Sequence, residues 1–294
     1  MKLFPGFEAH DVRTSGARIH LVSGGDGPPL LLLHGYPQTH AMWHRIAPAL
    51  AREYTVVCPD LRGYGDSSKP KGLPDHSNYA KRAMALDLAQ VMDKLGHARF
   101  HLVGHDRGAR VAHRLARDHG SRVRSLTVLD IAPTLKMYES TNQAFATAYY
   151  HWFFLIQKPP LPERLLAGHV PGYVFSRLAR GVRFAPAAMR EYVRAFRDPR
   201  CVHATCEDYR ASATIDLEHD RRDLKRKLRM PVLALWGKRG VIERLFDPIR
   251  DWREVALDVR GKGLDCGHFL PEEKPAEVLA ELQRFLRKRA VIES

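Results

Sequence analysis

The chain has 294 residues, 45% hydrophobic and 27% charged, and carries a net charge of +14 with histidines neutral. That length buries a full core and suits one large domain with an insertion, and the composition is that of an ordinary globular protein. No segment approaches the ~20 apolar residues of a membrane span, which excludes a helical membrane protein. The start, Met1-Lys2-Leu3-Phe4-Pro5-Gly6, lacks the apolar stretch of a signal peptide. Cys58, Cys201, Cys206 and Cys266 show no C-x-x-C spacing, so free thiols in a reducing cytoplasm are expected. The densest basic run, Arg221 to Arg229, has no zinc spacing, RNA-recognition motif or interleaved aromatic residues beside it. It reads as a solvated helix face and not as a nucleic-acid site.

In chain order, segments near Phe7–Thr14 and Ala17–Ser23 read as a hairpin at a sheet edge. Leu30–Leu33, Tyr54–Cys58, Phe100–Val103, Val123–Asp130, Val232–Trp236 and Val255–Val259 read as inner strands. Helical patterns fall near His40–Arg52, Asn78–Leu95, Gly108–His119 and Glu272–Lys288. The alternation predicts an α/β fold with a mostly parallel central sheet flanked by helices. From Ala132 to about Leu228 the strand rhythm stops, and Ala, Arg, Tyr and Phe recur at helical spacing between prolines. Residues 1–131 and 229–294 are therefore expected to form the core, and 132–228 an inserted helical cap.

Gly104-His105-Asp106-Arg107-Gly108 follows the apolar run ending at Val103. A Gly-x-nucleophile-x-Gly turn between strand and helix exposes one side chain over the end of a sheet. Here that residue is Asp106, and a carboxylate can displace a leaving group from saturated carbon, forming an ester. His268, between the last strand and the last helix, is placed to act as base. Asp130, closing Val128-Leu129-Asp130, is placed to orient it, whereas the loop after Trp236 offers no carboxylate before Glu243. His34-Gly35-Tyr36-Pro37 follows a strand where backbone N–H groups can form an oxyanion hole, so the N–H groups of Tyr36 and Arg107 are its candidates. Arg107 opens the helix behind the elbow, and Arg110 lies three residues on along the same face. Two guanidinium groups beside the nucleophile suit a small carboxylate.

The elbow, the H-G-Y-P loop, Asp60-Leu61-Arg62-Gly63-Tyr64-Gly65-Asp66-Ser67 and Gly267-His268-Phe269-Leu270-Pro271-Glu272-Glu273 together resemble the α/β-hydrolase superfamily. Within it the chain most resembles the fluoroacetate (haloacetate) dehalogenases, because Arg107 stands where haloalkane dehalogenases and epoxide hydrolases commonly carry Trp. The resemblance implies that His151, Trp152 and Tyr209 form a halide pocket. One such donor is worth on the order of 3–4 kcal/mol of barrier. It also implies a homodimer. The expected activity is hydrolysis of a 2-haloacetate to glycolate and halide, with no metal and no organic cofactor. Two other readings remain open: an epoxide hydrolase using the same Asp–His–Asp set, and a non-catalytic carboxylate-binding protein.

Overall fold

The computed structural model describes residues 3–178 and 181–290, side chains of 288–290 excepted. Met1 and Lys2 of the expected leaderless start lie outside the described residues, as do Ala179 and Arg180 of the expected cap. Eight strands form one sheet: β1 Glu8–Arg13, β2 Arg18–Gly24, β3 Pro29–Leu33, β4 Thr55–Pro59, β5 Phe100–His105, β6 Val123–Leu129, β7 Val232–Gly237 and β8 Val259–Leu264. Their order is β1-β2-β4-β3-β5-β6-β7-β8. The β1–β2 and β2–β4 pairs are antiparallel, and all the others are parallel. Leu30 to Leu33 and all of β5 are buried, as expected for parallel strands covered by helices on both faces.

Register brings the catalytic loops together. Leu33 of β3 lies beside Gly104 of β5, His105 beside Leu129 of β6, and Leu129 beside Leu235 of β7. The segments leaving β3, β5 and β6 thus emerge side by side at the carboxyl edge, where open α/β sheets bind ligands. Between β6 and β7 the described residues form eight helices and no strand, running from Thr134–Glu139 to Ile215–Asp223.

Several elements depart from the pattern reading. The last strand is Val259–Leu264, not Val255–Val259; Val255 ends the helix Pro248–Val255. β8 is an edge strand buried only at its ends, Val259 and Leu264, so its sequence, Val-Arg-Gly-Lys-Gly-Leu, carries little apolar signal. The stretch near His40–Arg52 splits into a 3-10 turn, His40–Trp43, and a short helix, Ala47–Leu50. Glu272–Lys288 likewise divides into Leu270–Glu273 and Pro275–Ala290, because Pro275 starts a helix and cannot continue one.

The elbow is sterically exacting. Asp106 has φ 46° and ψ −115°, a conformation in which non-glycine residues are strained. A Cβ on Gly108 would lie 2.3 Å from the His34 carbonyl oxygen and 2.4 Å from that of Leu33. A Cβ on Gly104 would lie 2.5 Å from the Ala109 Cα. These are backbone atoms, which cannot swing aside. Gly108→Ala is therefore expected to destabilise the protein by about 1–3 kcal/mol, the usual cost of overpacking. Denaturant titration measures this, and an unchanged midpoint would mean that the helix slides freely against β3.

Candidate active site

Asp106 lies at the apex of the elbow, buried, with its Oδ2 accepting the Tyr36 N–H at 3.0 Å. The Arg107 N–H lies in the first turn of helix Arg107–Asp118, where backbone donors have no partner within the helix. Asp130, at φ 53°, accepts the Gly237 N–H on Oδ1 at 2.9 Å and meets His268 Nδ1 through Oδ2 at 2.6 Å. Nδ1–H therefore faces the carboxylate, leaving Nε2 as the nitrogen with an open lone pair. Burial works against the His268 imidazolium, but the bond to Asp130 and the charges of Asp130 and Asp106 outweigh it and raise its pKa. Burial also opposes ionisation of Asp106, and here the His268 charge, with Arg110 and Arg107, brings its pKa below the usual carboxylate range. His105, the neighbour of the nucleophile, stays neutral. Burial pushes its pKa down to about 3, and its Nε2–H donates to the His268 carbonyl at 2.8 Å.

A cavity of about 200 Å³ opens onto this site. Tyr36, Asp106, Asp130, His151 and His268 line it, together with Tyr149 and Arg177, which the sequence did not single out. Arg107, Arg110, Trp152 and Tyr209 are buried beyond its wall, in one continuous cluster. The Arg107 guanidinium lies 4.0 Å from the Tyr209 ring centre and that of Arg110 4.7 Å from the Trp152 ring. Tyr36 packs against both His151, at 5.8 Å between ring centres, and Tyr209, at 5.4 Å.

The two arginines are not equivalent, as the pattern reading had made them. Arg107 Nε and Nη2 donate to Asp208 at 2.9 and 2.7 Å, and Nη2 also reaches Ser212 Oγ. Only its Nη1 is without a partner among the described residues. Among the described residues Arg110 bonds only neutral groups, the Ala132 carbonyl at 3.4 Å, Thr134 Oγ1 at 2.9 Å and Met137 Sδ at 3.2 Å, and its Nε has no partner there. The Trp152 indole N–H and the Tyr209 hydroxyl are likewise buried and unpartnered among the described residues. Buried donors are rarely left so unless another group completes them.

Asp208 was invisible to pattern reading because it belongs to no motif. It also accepts from Tyr64 OH at 2.7 Å and pairs with buried Lys81, which in turn meets Asp216 at 3.3 Å. Gln38, two residues beyond Tyr36, donates to Tyr192 OH, which donates to buried Glu272 beyond His268. Among the described residues one group comes within metal-ligand reach, His20, His40 and Asp60, far from any regular spacing. Asp60 there accepts the N–H groups of His40 and Asp66, which reads as bracing of a turn.

A parallel-centred sheet with a strained aspartate elbow, a histidine after the last strand and a carboxylate bonded to that histidine defines a hydrolase of the α/β class. The family model for the alpha/beta hydrolase fold matches residues 28–275. The chain is 47% identical over 289 residues to a fluoroacetate dehalogenase of Burkholderia sp, covering 97% of this chain and 95% of that protein. It is 35% identical to a soluble epoxide hydrolase of Corynebacterium sp. (strain C12), covering 94% and 96%. A solved α/β hydrolase chain from Nostoc sp PCC 7120 superposes with a TM-score of 0.94 at 58% identity, covering 95% of this chain and 98% of that one. The chain belongs to the α/β-hydrolase superfamily and, within it, to the haloacetate dehalogenase family.

Burial pushes the Glu272 pKa up to about 7, with the Tyr192 bond and Arg45 opposing. A carboxyl raised on folding contributes stability that is complete below its ordinary pKa and is lost as pH rises through the folded value. Wild type is therefore expected to lose stability relative to Glu272→Gln between about pH 5 and pH 8. Melting temperatures across that range test it, and parallel curves would contradict it.

Proposed function

We propose that the protein hydrolyses 2-haloacetates to glycolate and halide through an ester on Asp106. The observation that carries this reading is the cluster of four buried, unpartnered donors beside the nucleophile: Arg107 Nη1, Arg110 Nε, Trp152 Nε1 and Tyr209 OH. A small molecule carrying both a carboxylate and a developing halide supplies acceptors for all four. The fluoroacetate dehalogenase relative supports the same substrate class.

In this mechanism Arg110 and the free Nη1 of Arg107 hold the substrate carboxylate, and Asp106 attacks the α-carbon in line with the halogen. The new C–O bond forms as the C–halogen bond breaks, and the halide leaves with the electron pair toward His151, Trp152 and Tyr209. His268 Nε2 then takes a proton from water, and the hydroxide attacks the Asp106 carboxyl carbon. The Tyr36 and Arg107 N–H groups stabilise the oxyanion. Collapse frees glycolate, and the proton returns from His268. A neutral epoxide gains nothing from the unneutralised Arg110, which sets the epoxide reading second. In this reading residues 132–228 are the cap, and the four buried free thiols fit a cytoplasmic home. The homodimer draws support from Tyr150, Leu161, Leu165 and Phe175, large exposed apolar residues of the helical insertion.

Wild type is expected to release fluoride from fluoroacetate continuously, and Asp106→Asn to release none. His268→Asn is expected to give one burst of halide and to retain the ester, visible as a carboxymethyl mass increase on the intact chain. Ester hydrolysis is expected to rise with pH through the raised His268 pKa, while ester formation stays flat because Asp106 remains ionised. Sustained turnover by Asp106→Asn, or no halide from wild type, would overturn the mechanism.

The two arginines are expected to separate experimentally. Arg107→Gln leaves Asp208 short of its main partner and is expected to cost about 3–5 kcal/mol of stability, as when a buried ion pair is broken from one side. Arg110→Gln breaks no ion pair and is expected to show its main effect in kcat/KM. Denaturant titration and halide-release kinetics on both variants check this.

A further inference from the structure

Arg177, on helix Val170–Leu178, lines the same cavity as Asp106 and His268, and the mechanism above does not use it. Its guanidinium lies 5.4 Å from the Tyr150 ring centre, and its Nε is buried without a partner among the described residues. The hydroxyl groups nearest in effect belong to Tyr36, Tyr173 and Tyr209, all held neutral by burial. Its charge is felt across the cavity at His268 and Tyr149.

Of the other poorly exposed arginines, Arg62 meets Asp87, Arg114 meets Asp118 and Asp223, and Arg210 meets Glu163 and Glu207, while Arg117 is completed by the Asp223 and Arg226 carbonyls. Among the described residues Arg177 has no such partner, and in this it resembles Arg110. Arg110 is completed by the substrate carboxylate, so the same reasoning assigns an anion to Arg177. Asp106, Tyr149, His151 and Arg177 share the wall of this one cavity, with Arg239 and Arg244. A two-carbon acid at Asp106 does not by itself fill a cavity of about 200 Å³.

We propose that Arg177 is a second carboxylate subsite and that the enzyme accepts four-carbon 2-halodicarboxylates, with the far carboxylate on Arg177. This rests on the dehalogenase reading and deepens it. With 2-bromosuccinate, one carboxylate sits at Arg110 and Arg107 while Asp106 forms a C–O bond to C2 and bromide leaves with the electron pair. Water, deprotonated by His268, then cleaves the ester to malate. A cation that meets its partner only with the longer substrate raises kcat/KM for that substrate alone.

The test compares bromide release from 2-bromosuccinate and 2-bromobutyrate, which are similar in length but differ in the second carboxylate, with chloroacetate as reference. Wild type, R177Q and R177K are assayed at a pH where His268 is neutral, with melting temperatures recorded beside the kinetics. Wild type is expected to prefer 2-bromosuccinate over 2-bromobutyrate by at least tenfold in kcat/KM. R177Q is expected to erase that preference and leave chloroacetate turnover within about twofold. R177K is expected to restore most of the preference. A wild type without the preference, or a preference that survives in R177Q, overturns the subsite. A wild type inactive on chloroacetate as well would instead overturn the dehalogenase reading.

Discussion

The buried contact between Arg107 and Asp208 governs most of what surrounds it. Arg107 begins the helix behind the nucleophile, and Asp208 lies on the insertion helix Pro199–Ala213. Their bond, extended through Lys81 to Asp216, carries charge from the sheet domain into two helices of the insertion with almost no exposure to water. Desolvating these charges is costly, and only the completeness of the bonding offsets it. The same bond orients Tyr209, the next residue, and leaves a single Arg107 nitrogen free. The inner wall of the site is thus a by-product of the way the insertion is fastened down.

Against that neutralised pair, Arg110 stands out as the cation beside Asp106 with only neutral partners. Two opposite charges act on the nucleophile from different sides, Arg110 from the helix and His268 from the loop beyond Leu264. Both favour the carboxylate form, so Asp106 is ionised despite its burial. Asp130 does the converse for His268, favouring the imidazolium that develops when water is deprotonated. In the proposed reaction one fixed arrangement of charges thus serves two successive steps.

The sheet, the elbow and the positions of His268 and Asp130 were legible because each obeys a local rule. Buried parallel strands read as apolar runs, a strand-to-helix turn needs small residues, and the base follows the last strand. β8 was misread because an exposed edge strand needs few apolar residues, while the Val255-Ala256-Leu257 run before it carries more of them. The partner of Arg107 was unreadable for a different reason. Asp208 is separated from it by about a hundred positions, and nothing in Cys206-Glu207-Asp208-Tyr209-Arg210 distinguishes a buried counter-ion from a surface acid. Arg177 lies in a stretch without a motif, so only the cavity shows which way it faces. Local chemistry was visible in the sequence, whereas the assignment of charges to one another required the fold.

The insertion leaves the sheet after β6 and returns at β7, and these two strands are direct neighbours in parallel register. Because the pair is parallel, the two ends of the insertion lie at different heights of the sheet. β7 begins at Val232, beside Leu126 and three residues, ~10 Å, along the strand from Leu129, where β6 ends. The insertion is nonetheless one continuous segment that topology alone would let be exchanged. Its electrostatics are not detachable. An insertion grafted from another hydrolase without an acid at position 208 would strand Arg107 as an unpaired buried cation and leave Lys81 to Asp216 alone. Exchange of this segment thus requires Arg107 and an acid at position 208 to be kept together.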